Sequence, residues 1–302
     1  MKPVKFKSNG LVLSGNLYYP ENFQPGNEPT SAIVVGHPTS GVKEQTAGLY
    51  AKRLAANGFI TLAFDAAYQG ESEGMPRGFE DPTQRTEDFK SAVAFLTTLK
   101  EVDPKRIGVL GICGSGGYSL VATATDHTIK ALATVSGVDI GDWYRKGSED
   151  DQDPQVIQSM LDAAAADRLA TLNGEAPGTY SLRITEEQAN ALGGINFEAW
   201  EYYCTDIGKH PNQTNFPPLS SLDRIAGFYS PSVAHLIAPR PVLLIAGAES
   251  QTLWLTKDAY EKSNEPKELY EINGATHFSL YYKEEHVNPA VVKLTEFFRS
   301  NL

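Results

Sequence analysis

One stretch of 18 residues limits the fold more than any other: RIGVLGICGSGGYSLVAT, positions 106–123. It opens on an apolar run, Ile107, Val109, Leu110 and Ile112, broken only by glycine, as a buried strand is. Gly111, Cys113, Gly114, Ser115, Gly116 and Gly117 follow, and from Tyr118 the apolar Leu120, Val121 and Ala122 read as a helix. A strand that turns sharply into a helix, with a nucleophile at the turn and small residues two before and two after it, is a nucleophile elbow. The turn strains the backbone, so its neighbours must be small. The helix N-terminus then faces the reacting group and favours a thiolate or an oxyanion there.

Two registers fit. Gly111-Ile112-Cys113-Gly114-Ser115 makes Cys113 the nucleophile; Cys113-Gly114-Ser115-Gly116-Gly117 makes it Ser115. Cys113 is favoured, because it follows the strand directly after a glycine, and Ser115 stays as the alternate. A phosphate-binding loop would need a Gly-Lys-Ser/Thr ending or Gly-x-Gly-x-x-Gly spacing, and the stretch has neither.

Around the elbow, strands and helices alternate. Residues 3–20 read as a hairpin about Asn9-Gly10, and 21–30 as a polar loop. Strands are expected at 31–36, 60–64, 106–112, 129–135, 242–245 and 268–272. Helices are expected at 42–57, 82–99, from 118, and at 231–237, 257–263 and 289–298. This rhythm implies a mainly parallel sheet covered by helices on both faces. It breaks between 141 and 228, a segment with acidic and Pro/Gly-rich patches and an alanine-rich helix near 157–172. That segment is too long for a simple connection. It reads as a helical cap inserted over the carboxyl edge of the sheet, with the core at 1–140 and 229–302.

The length, 302 residues, suits one domain with an insertion. The net charge of −11 argues against nucleic acid or an anionic membrane as partner. Two cysteines, Cys113 and Cys204, indicate no disulfide framework, and a free thiol at the elbow suits a reducing compartment, so a cytoplasmic location is expected. No signal-peptide or membrane-spanning run is visible. No His/Cys/Asp cluster has metal-ligand spacing, and no cofactor is expected.

Acyl transfer through a covalent intermediate needs a base, an orienting acid and oxyanion donors. His277, just past the last expected strand, is the base by position. Glu249 is the expected acid, since the order Cys113, Glu249, His277 is that of nucleophile-elbow enzymes; Asp139 is the alternate. The amides of Gly114 and Thr39 are the expected oxyanion donors, Pro38 having none. His37, Trp143, Trp200 and Tyr203 are the expected substrate contacts, the aromatic ones supplied by the cap.

The motifs GHPTSGVKEQ, FDAAYQGES, GICGSGG, HLIAPRPVLLIAG and GATHF resemble the α/β-hydrolase superfamily. Within it they are most similar to dienelactone-hydrolase-like proteins, a group that includes fungal polyketide transferases and thiohydrolases. The resemblance implies an α/β-hydrolase fold and action on an ester or thioester with a bulky apolar acyl group. The substrate would be a small acyl molecule, free or bound to a carrier protein, and a homodimer stays open. It also implies an aspartate at or near Gln251, where this chain has Ser250 and Gln251. A non-hydrolytic cyclase or lyase, and an inactive ligand-binding protein, are the alternatives that this departure keeps open.

Overall fold

The computed structural model describes residues 1–21, 23, 24, 26 and 28–302; positions 22, 25 and 27 of the expected polar loop lie outside the described residues. The chain opens on strand β1 (Lys2–Ser8), which turns back on β2 (Leu11–Tyr18). Asn9 at φ 45° and Gly10 at φ 86° make the turn, both left-handed as a two-residue hairpin requires. Next come β3 (Thr30–Gly36), α1 (Thr46–Ala56) and β4 (Ile60–Phe64). α2 (Pro82–Thr97) begins with Asp81 accepting from the Thr83 and Gln84 amides. β5 (Val102–Ile112), α3 (Gly114–Thr125) and β6 (Ala131–Val135) complete the first half.

Five helices separate β6 from the next strand: α4 (Ile140–Lys146), α5 (Pro154–Leu172), α6 (Glu186–Leu192), α7 (Gly194–Cys204) and α8 (Ser221–Ala226). A 3-10 helix (Ser230–Leu236) follows them. The chain ends with β7 (Val242–Gly247), α9 (Leu253–Lys262), β8 (Lys267–Ile272), α10 (Ser279–Tyr282) and α11 (Glu284–Asn301).

The strands form one sheet in the order β1-β2-β4-β3-β5-β6-β7-β8. β2 pairs antiparallel with both its neighbours, and the pairings from β4 to β8 are parallel. Strand residues alternate between two apolar cores. Ile33, Val35 and Leu110 join α1, α10 and α11 on one face, while Ala32, Val34 and Val109 join α2 and α3 on the other. This is the α/β-hydrolase fold.

Several boundaries differ from expectation. α1 starts at Thr46, because residues 42–45 form a turn in which Lys43 bonds Asp65 through its amide (2.8 Å) and its ammonium (2.8 Å). The stretch near 231–237 is a 3-10 helix. α11 starts five residues before Pro289, which sits inside it at the cost of one intrahelical bond.

The helices from α4 to α8 lie over the carboxyl edge of the sheet. The Tyr202 hydroxyl accepts from the Thr46 amide at 3.0 Å, and the Thr214 amide donates to Ser40 O at 3.1 Å. Among the described residues no helix is long and apolar enough to cross a membrane, and no cluster of three or more His, Cys, Asp or Glu could hold a metal.

Candidate active site

Cys113 occupies the turn between β5 and α3 at φ 55° and ψ −124°, a backbone state that a non-glycine residue rarely adopts. The turn is tied down around it. Its amide donates to Val135 O at 3.1 Å, and its carbonyl accepts from Gly116 N at 2.7 Å and Val138 N at 3.0 Å. The residues around the turn have little room for a side chain, at 111 because backbone lies in the way and at 114 because the Thr39 hydroxyl would have to turn aside. A Cβ on Gly111 would lie 2.2 Å from Ser115 O, and one on Gly114 would lie 2.2 Å from Thr39 Oγ1. The Gly114 and Thr39 amides both donate toward Cys113 Sγ, so two N–H groups converge beside the sulfur.

Ser115, the alternate nucleophile, points elsewhere. Its buried Oγ donates to His37 O at 2.6 Å and accepts from Arg85 Nη2 at 3.1 Å, beneath the turn. One position past the elbow, the first turn of α3 carries that side chain under the β3 loop.

His277 follows β8 and is buried. Its Nδ1 lies 2.7 Å from Thr252 Oγ1 and its Nε2 lies 3.0 Å from the Tyr281 hydroxyl. The same hydroxyl lies near enough to Cys113 Sγ to favour its thiolate. The order in space is therefore Thr252, His277, Tyr281, Cys113, and a phenol stands between base and thiol. Tyr281 lies four residues past His277, one helical turn on, where a side chain can share the same face.

Neither expected acid reaches His277. Glu249 is exposed, and only its amide is engaged locally, donating to Ala275 O at 2.9 Å. Asp139 is buried beside α4, accepting from Asp142 N, Ser230 N and Ser230 Oγ, each at 2.7 Å. Gln251 reaches the overlying helices, accepting from Ile195 N at 2.5 Å and donating to Glu149. The cause is the path after β7. Two tight turns, Ser250 N to Gly247 O and Leu253 N to Ser250 O, swing Thr252 inward and leave Glu249 outside. Ser250 Oγ supports Thr252 Oγ1 at 2.9 Å.

Two expected substrate contacts are also corrected. His37 is buried under the elbow, its Nδ1–H donating to Pro38 O at 2.7 Å and its Nε2 accepting from Ala66 N at 3.1 Å. Trp200 packs on Phe197, centroids 5.8 Å apart, and does not line the cavity. Trp143 and Tyr203 do line it, as do Thr39, Cys113 and Tyr281. The cavity measures about 340 Å³ and is mainly apolar, with Ile140, Met160 and Phe278 in its walls.

Burial sets the charge state of the pair. It pushes the Cys113 thiol up to about 11, against the Tyr281 hydroxyl and the two amides, which favour the thiolate. It pushes His277 down to about 3. At neutral pH the resting site holds a thiol and a neutral imidazole. Sequence reading missed Thr252, Tyr281 and Arg183; the last lines the cavity from the segment before α6.

The family model for the X-Pro dipeptidyl-peptidase (S15 family) matches residues 9–278. The chain belongs to this S15 family. YcjY of Escherichia coli (strain K12) is 36% identical over 97% of this chain and 95% of its own. The crystal structure of PA2218 from Pseudomonas aeruginosa superposes with a TM-score of 0.91 at 34% identity, covering 100% of this chain and 93% of that one. The polyketide transferase claH of Penicillium crustosum is 25% identical over 93% of this chain and 91% of its own. With hydrolases and transferases as its relatives, this S15 member is an enzyme of the α/β-hydrolase type.

Proposed function

We infer that the protein is an acyl hydrolase or acyl transferase. It would act on an ester or thioester with a bulky apolar acyl group, through a thioester on Cys113. The observation that carries this is the strained Cys113, which opens on an apolar cavity of about 340 Å³ with two amides aimed at its sulfur. On this reading residues 141–228 act as the cap that shapes the acyl pocket.

The chemistry follows from the relay. Sγ attacks the acyl carbonyl carbon, and a C–S bond forms. The thiol proton goes to the Tyr281 oxygen as the Tyr281 proton goes to His277 Nε2. That needs Nδ1–H to donate to Thr252, the tautomer the Thr252 contact suits. Gly114 and Thr39 N–H groups stabilise the oxyanion. Collapse breaks the bond to the leaving oxygen or sulfur, which takes the proton back. An acceptor then reverses the steps.

A dipeptidyl-peptidase activity, after which the family is called, fits the pocket less well. Such a substrate presents an ammonium group, whereas the one charged side chain among the described lining residues is Arg183. The neutral Thr252 favours a second choice, transfer over hydrolysis. Without a carboxylate, His277 is a weak base for water, so a more nucleophilic acceptor is better served.

The test is an activated medium-chain thioester. Cys113→Ala should abolish turnover and lose the acyl adduct seen by mass spectrometry, while Ser115→Ala keeps both. Turnover that survives Cys113→Ala would end the reading.

A further inference from the structure

The cavity wall carries one cation and, among its described residues, no carboxylate. Arg183 lies half-buried there, its guanidinium 4.2 Å from the centroid of the Tyr203 ring. Every hydrogen-bond acceptor it has among the described residues is neutral. Nε donates to Asn215 Oδ1 at 3.0 Å and Nη1 to Leu182 O at 3.1 Å. Nη2 donates to Ser40 Oγ at 3.0 Å and to Thr214 O at 3.2 Å. A guanidinium has five N–H donors, so one on Nη1 has no protein acceptor among them. The other guanidinium near the elbow contrasts with it: Arg85 faces Glu80 at 3.4 Å.

A cation drawn partly out of water without a counter-charge carries a cost, and one kept in an apolar pocket invites a group that completes it. Among the described residues no anion completes it there, although the net charge of the chain is −11. The guanidinium is also held close to the chemistry. Its Nη2 grips Ser40, the residue after Thr39, whose amide faces the sulfur. Burial lowers the Arg183 pKa, while Tyr203, Cys204 and Tyr144 oppose that shift. All of this places within the acyl pocket a guanidinium with no counter-charge among the described residues and one N–H free for a carboxylate oxygen.

We propose that Arg183 binds a carboxylate carried by the acyl group, so that the substrate is the half-ester or half-thioester of a dicarboxylic acid. This rests on the acyl-transfer reading of the same site and narrows its substrate class.

Two measurements separate the claims. The first compares turnover of the N-acetylcysteamine thioesters of hexanoic acid and of hexanedioic acid. The second asks how well the mono-amide of hexanedioic acid and hexanamide, which differ only in the distal carboxylate, protect Cys113 from alkylation, which needs no turnover. The carboxylate should improve kcat/KM roughly 10- to 100-fold, and protection by a like factor, the worth of a charge-assisted hydrogen-bonded pair. Arg183→Gln should erase both preferences. Arg183→Lys, which keeps the charge on a chain able to fill the same groove, should keep part of them with an unchanged melting temperature. Equal turnover and equal protection by the two compounds would overturn the proposal. Protection by the mono-amide of hexanedioic acid alone, with neither thioester turned over, would uphold the anion site and overturn the acyl-transfer reading.

Discussion

Replacing Thr252 by aspartate should turn a neutral relay into a charged one. The Thr252 hydroxyl lies 2.7 Å from His277 Nδ1, so a carboxylate at that position would meet the ring directly. The thiol at about 11 and the imidazole at about 3 lie about 8 pH units apart. Moving the proton from Cys113 to His277 in the resting site therefore costs on the order of 10 kcal/mol before the attraction between the two resulting charges is counted. A carboxylate within hydrogen-bond reach raises a histidine by about 1–3 units. It should increase the thiolate population about 10- to 1,000-fold. Ser250 Oγ, 2.9 Å from Thr252 Oγ1, is placed to donate to the new carboxylate and help keep it ionised. The assay is the rate of Cys113 alkylation by iodoacetamide at pH 7, read peptide by peptide because Cys204 is partly accessible. NMR titration of His277 accompanies it. We expect Thr252→Asp to react at least about tenfold faster and Thr252→Asn to show no gain. A His277 pKa that rises without any gain in Cys113 reactivity would refute the idea that Tyr281 couples the two.

Tyr281→Phe removes the hydroxyl that touches both His277 Nε2 and Cys113 Sγ. Acylation should slow about a hundredfold, the scale of lost proton transfer, with KM nearly unchanged; an undiminished rate would mean that the imidazole reaches the sulfur unaided. The second expectation concerns stability. His277 is held neutral in the fold, at about 3, but titrates near 6.5 when unfolded, so its contribution is complete above about pH 6.5 and is lost as pH falls toward 3. Buried His37, also lowered, adds to the loss. Asp65, Asp88 and Asp139, raised by burial, act with the opposite sign at the acid end. Urea unfolding between pH 6.5 and 4.5 should show His277→Gln losing stability less steeply than wild type, by about 1.4 kcal/mol per pH unit. Equal slopes would show that His277 is not held neutral.

How far the sequence could be read depended on what fixed each residue. The elbow was legible because a side chain at 111 would run into the backbone of Ser115 and one at 114 into the Thr39 hydroxyl, a demand for small residues that leaves its mark in composition. The position of His277 after the last strand was legible for the same topological reason that orders β5, β7 and β8. The residue facing its Nδ1 was not. Glu249, Ser250, Gln251 and Thr252 are consecutive, and which one turns inward is decided by two tight turns that no side-chain pattern announces. The place of Tyr281 depends on a four-residue helix, α10, too short to show periodicity. Pro289 misled in another way, since a proline reads as a helix start, and here the helix tolerates it one and a half turns in.

The missing carboxylate and the cysteine belong together physically. A serine hydroxyl is a far weaker acid than a thiol. It needs a base whose conjugate acid is stabilised by a charged neighbour, the role a buried aspartate plays in a Ser-His-Asp site. A thiol is the better nucleophile and asks less of its base. With Thr252 as the only partner of Nδ1 among the described residues, His277 can orient and pass a proton through Tyr281, but it cannot hold positive charge cheaply. Such a site has little use for a resting thiolate. The thiol would give up its proton only as the acyl carbon arrives and negative charge moves onto an oxygen facing Gly114 and Thr39. On that account the amides carry more of the stabilisation than the imidazole does, and the strain stored at φ 55° in Cys113 serves to hold the sulfur against them.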